Sequence, residues 1–131
     1  MSAREKAMEV RDMGCNCAQS VLLGCGEYTG LTEHQALTVS AGFGAGLGSG
    51  EICGAISGAV MAVGSCLPYE GCTDTAAKAR AKECAAQICS VFKEKFGCVT
   101  CAELKAKELS CDMLIEYAAE LAEDMINKIE K

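Results

Sequence analysis

An all-α fold is what this 131-residue sequence predicts: a single-domain bundle of about six or seven helices, with a glycine-rich loop before the central helix. Three observations carry that expectation. Apolar residues recur at helical spacing in successive segments, most plainly from Cys111 to Ile129. Capping residues stand ahead of those segments, with Asn16 and Gln19, and Thr100 and Glu103, in capping-box spacing. No segment reads as a strand, and the length suits one domain, 1–131, with a core of its own.

Taken in order, residues 4–13 form a short helix stopped by Gly14. Asn16 caps a second helix that runs to about Tyr28, and Thr32 caps a third whose apolar members are Ala36, Leu37 and Val39. Residues 42–58, GFGAGLGSGEICGAISG, place glycine at every second position up to Gly50, a pattern for a backbone that turns sharply and approaches something closely. The loop feeds the central helix, about 52–67. That helix carries no charge on any face and is expected to be surrounded by protein. Its strip of Gly54, Gly58 and Ala62 reads as a close helix contact. Pro68 ends it. Thr73 or Asp74 then starts a long helix to about Phe96, closed by Gly97. A short helix from the Thr100 cap to Lys107 follows, and Ser110 caps the last, whose stripe includes Leu114, Ile115, Ala118, Ala122 and Ile126.

The formal net charge of −6 argues against a nucleic-acid footprint. The charged first segment does not read as an export signal, so a cytoplasmic location is expected. The apolar run 52–69 is broken by glycines and Pro68, and is too short to span a membrane. The uncharged central helix also suggests a homodimer.

Eleven cysteines, an odd number, in a reducing compartment point to metal ligands or redox thiols, with others serving as small buried apolar residues. Cys17, Cys101 and Cys111 each directly follow a cap, and Cys53 falls in the first turn of the central helix. Helix starts stabilise a thiolate through free N–H groups and the helix dipole. Cys111 lies on an apolar stripe, and Cys17 on a similar inner face. Inward thiolates are costly unless they meet a cation or bond to each other, so a metal centre or a disulfide would relieve them. Cys25, Cys66, Cys84 and Cys89 read as packing residues, and Cys72 is left open.

Cys15 and Cys98 form local pairs with Cys17 and Cys101. Cys98-Val99-Thr100-Cys101 is a C-x-x-C with no strand ahead of it, and Ala102 stands where haem attachment needs histidine. The glycine loop lacks the lysine of a phosphate-binding loop. His34, the one histidine, reads as a solvated residue. Met8, Met13 and Met61 read as core filler.

With Asn16-Cys17-Ala18-Gln19, the CGAISG run from Cys53 to Gly58, Thr100-Cys101-Ala102-Glu103-Leu104 and Cys111, the sequence resembles the C-GCAxxG-C-C family of small bacterial and archaeal proteins described as redox-active. The family signature writes glycine before the second cysteine, where this chain has glycine after it. The resemblance implies a redox role with an undefined redox partner. Family genes often lie beside transporter genes, and an iron–sulfur centre is ascribed to a related domain in a class of multihaem cytochromes. By that likeness Cys17, Cys53, Cys101 and Cys111 would ligate an iron–sulfur cluster. Two other readings use the same residues: a metal-free thiol–disulfide oxidoreductase and a structural zinc site. The seven additional cysteines leave room for other ligands or disulfide partners.

Overall fold

The computed structural model describes residues 1–129, and within them the chain is helical with no strand. Eight α-helices run in order: α1 (Ala3–Asp12), α2 (Cys17–Gly24), α3 (Gly26–Thr29), α4 (Glu33–Ser40), α5 (Gly54–Cys66), α6 (Thr75–Phe96), α7 (Cys101–Ala106) and α8 (Cys111–Asn127). The expected second helix divides at Cys25, which closes α2 and opens α3. The central helix starts at Gly54 and not at Ile52, because Ile52 pairs with Thr100 in an isolated antiparallel bridge. Cys53 is consequently the residue that caps α5 and lies just outside its first turn.

Side-chain caps define most helix starts. Asn16 with Gln19, and Thr32 with Gln35, make complete capping boxes, while Thr100 and Ser110 each accept one backbone N–H. A further box, Ser2 with Glu5, begins α1 earlier than the apolar pattern indicates.

The core sits between α1, α2, α5 and α8, with α4 laid on α2 and α6 on α5. Small residues bring α2 and α5 together, start beside start. A side chain on Gly58 would meet the Ala18 carbonyl oxygen at 2.7 Å and Val21 Cβ at 2.9 Å, and one on Gly54 would meet Cys17 Cβ at 3.2 Å. The small-residue strip is therefore filled from within the chain, and the expected reason for a homodimer is met by α2. Helix α1 lies antiparallel to α8: Ala3 N–H donates to Glu123, Arg4 pairs with Glu116, and Arg11 pairs with Asp112. Phe92 and Phe96 of α6 each pack edge to face on Tyr117 of α8, and their own rings are tilted by 53°, with all three ring centroids 5.3–5.4 Å apart.

Leu37, Val39 and Met13 are exposed, so Met13 is not core filler. His34 is solvated as expected. No helix among the described residues is long and apolar enough to cross a membrane.

Candidate functional site

The bundle's topology sets several helix starts at one end. Starts of α2 and α5 are adjacent because those helices pack in parallel, and the start of α8 lies opposite the end of α1. Helix α7 is brought in by the chain around the Ile52–Thr100 bridge. There Cys53 N–H donates to the Val99 carbonyl at 2.9 Å, and Cys101 N–H to the Glu51 carbonyl at 2.6 Å. Two cysteines 48 positions apart in the chain, Cys53 and Cys101, thus become neighbours.

Cys17, Cys53, Cys101 and Cys111 all line one cavity of about 200 Å³. None of the other seven cysteines lines it. Cys53 and Cys101 are buried, whereas Cys17 and Cys111 are half-buried and not fully inward as their helix faces suggest. The remaining wall is apolar, from Ala45, Leu104, Leu109 and Leu114, with Asn16 and two cations, Arg11 and Lys105. Nothing in the spacing of those cations marks them, since α1 contributes no cysteine to the site and Lys105 sits in the last turn of α7, away from its cysteine-bearing start.

The glycine loop forms another part of the wall. Residues 45–48 take a full left-handed turn, with φ of 54° at Ala45, 61° at Gly46, 63° at Leu47 and 66° at Gly48. L-residues pay about 1–2 kcal/mol each for that conformation, so Ala45 and Leu47 are strained. Gly46 is required for a second reason: a Cβ there would lie 2.9 Å from Cys101 Cβ and 2.5 Å from the Glu51 carbonyl oxygen. Glu51 itself is exposed and ties the loop down through its backbone.

Burial governs the thiols. It pushes the Cys17 thiol up to about 12, with the Cys111 and Cys53 sulfurs adding to the rise and Arg11 opposing it. Burial likewise raises Cys53, against the Ala55 and Ile56 N–H groups at the start of α5, while Cys101 and Cys111 add to the rise. These causes place the Cys17, Cys53, Cys101 and Cys111 sulfurs in one electrostatic neighbourhood, in which burial holds the Cys17 and Cys53 thiols neutral until something replaces their protons. Among the described residues, no three His, Cys, Asp or Glu side chains stand in an arrangement that could hold a metal ion. The four sulfurs share a cavity without being drawn to a common point.

Outside this site, Cys25 is fully buried and its thiol is pushed up to about 12 by burial, with Glu123 and Cys66 contributing. Cys66 donates to the Tyr28 carbonyl at 3.3 Å. Cys84 and Cys89 pack partly against the core, and Cys72 is exposed.

A family model described as "Putative redox-active protein (C_GCAxxG_C_C)" matches residues 15–125. No curated protein and no solved structure matches the chain.

Proposed function

Given that the chain belongs to the C_GCAxxG_C_C family of redox-active proteins, we propose that it is a small electron-transfer protein whose redox group is an iron–sulfur cluster held by Cys17, Cys53, Cys101 and Cys111. The observation that carries the reading is the meeting of four cysteines, from four helix starts, at one cavity. The donor set matches the group in kind, since all-thiolate ligation is usual for such clusters and the chain supplies four thiols on a largely apolar wall, and loading would have to draw the four sulfurs to a common point. When bound, the cluster would supply one-electron chemistry.

The chain's own residues have definable tasks. Each ligand must lose a proton on loading, and burial keeps the Cys17 and Cys53 thiols protonated beforehand, so loading releases protons. Four thiolates concentrate negative charge, which Arg11, Lys105 and the helix N-termini offset. Leu104, Leu109 and Leu114 limit water at the cavity wall. The reading supposes a reducing, cytoplasmic setting, where thiols stay available for ligation.

The proximity of Cys17 and Cys111 favours a second reading, reversible thiol–disulfide exchange at that pair. Against it, the Cys17 thiol is pushed up to about 12 chiefly by burial, and a thiol kept neutral in that way is a slow nucleophile. Anaerobic reconstitution with iron and sulfide, followed by metal assay and absorbance, separates the two. The expected result is a coloured protein with iron and acid-labile sulfide in equal amounts, lost in each of the four Cys→Ser variants and kept in Cys84→Ser. A colourless, iron-free product with a reversible Cys17–Cys111 disulfide would replace this reading with the second, and tight zinc without redox activity would replace both.

A further inference from the structure

Arg11 stands out because it reaches the cysteine cavity from a helix that brings no cysteine to it. Its guanidinium makes two contacts in different directions. Nη1 donates to the Cys15 carbonyl at 3.0 Å, two residues before Cys17, and Nε donates to Asp112 Oδ1 at 3.2 Å, one residue after Cys111. One planar group therefore bridges the chain entering α2 to the first turn of α8, the two elements that carry Cys17 and Cys111. Lysine offers a point charge and cannot supply the same fixed fork.

We infer that Arg11 is a positioning residue that holds the Cys17 and Cys111 side chains together as a pair at the cavity. The inference rests on the reading of the four-cysteine cavity as the redox site. Its consequence can be measured without any metal, by exchange with oxidised glutathione. In that step the glutathione disulfide bond breaks and a Cys17–Cys111 disulfide forms. Two electrons pass from the protein thiols to glutathione, and both thiol protons end on two molecules of reduced glutathione. The equilibrium constant of this exchange reports how well the folded protein holds the two sulfurs near one another.

Arg4 provides the control, since it ties α1 to α8 through Glu116 and Glu120, away from the cysteines. A general loosening of the α1–α8 contact should be reproduced by Arg4→Gln, whereas loss of positioning should not. In the apo-protein, Arg11→Gln is expected to lower the constant about tenfold, the scale of one charge-assisted contact, with Arg11→Lys in between and Arg4→Gln within twofold of the parent chain. The Cys17–Cys111 bond is identified by peptide mass mapping, and urea unfolding of each variant shows whether stability has changed in step. An unchanged constant in Arg11→Gln overturns the inference, as does an equal fall in Arg4→Gln. Failure of the parent chain to form this disulfide overturns it as well. Iron uptake by the parent chain, assayed separately, judges the site reading itself, so the two failures are told apart.

Discussion

At the scale of single residues, the site depends on where side chains are missing as much as on where thiols stand. Gly46 touches Cys101 and the Glu51 backbone at distances that admit no Cβ, and its φ is 61°. Gly46→Ala is expected to displace Cys101 and abolish iron loading while the far-ultraviolet helical signal persists. Loading equal to that of the parent chain would show that the loop does not shape the site. Gly58 lies at the α2–α5 contact, where Gly58→Ala would overpack against Ala18 and Val21 and cost about 1–3 kcal/mol in urea unfolding. Leu47 is the reverse case. It is 52% exposed and held left-handed, so Leu47→Gly should relieve strain and raise stability by about 0.5–1 kcal/mol. A lower unfolding midpoint would mean that its side chain makes contacts that outweigh the strain.

At the scale of elements, caps and loops do the positioning. Asn16 accepts the Gln19 N–H at 2.9 Å and donates from Nδ2 to the Ala41 carbonyl at 3.0 Å, so it fixes both the start of α2 and the chain leading into the glycine loop. Thr32 makes the same kind of box on α4 and lines no part of the four-cysteine cavity. Asn16→Ala and Thr32→Ala should each cost about 1 kcal/mol of stability, and only the first should also weaken cluster loading. Equal loading in both would show that the entry to α2 does not govern Cys17. These caps were legible in the sequence, because spacing of three residues between a capping oxygen and a Gln or Glu is a local rule. The exact start of α5 was not. Its first residues are claimed by a bridge to Thr100, a partner 48 positions away.

At the scale of the molecule, buried thiols make the metal-free protein sensitive to alkali. The Cys25 and Cys17 thiols are raised to about 12 in the folded chain, against about 8.5 for an ordinary thiol. Between those limits the unfolded chain has released protons that the folded chain still holds, so stability is full below the lower limit and falls as pH rises toward 12. The fully buried Cys25 contributes up to about 1.4 kcal/mol per pH unit in that window. Urea unfolding from pH 8 to 11 should show the decline, less steep in Cys25→Ala. A flat profile would mean that the thiols ionise without unfolding the core. Metal loading should raise the melting temperature of the chain, and a chelator should reverse that gain, since a ligand of the folded state alone stabilises it.

What the sequence determined by itself was local: the helical class, most helix bounds, and the four cysteines standing at or beside helix starts. Periodicity, capping and propensity act over a few residues, so they can be read from neighbours in the chain. Only the tertiary structure decided that those four starts share one end of the bundle and one cavity, and that Arg11 and Lys105 face it. That outcome follows from the parallel contact of α2 with α5 through Gly54 and Gly58, the antiparallel contact of α1 with α8, and the Ile52–Thr100 bridge. Each joins residues remote in sequence, where burial and hydrogen bonding are shared between segments and no single segment carries their signal.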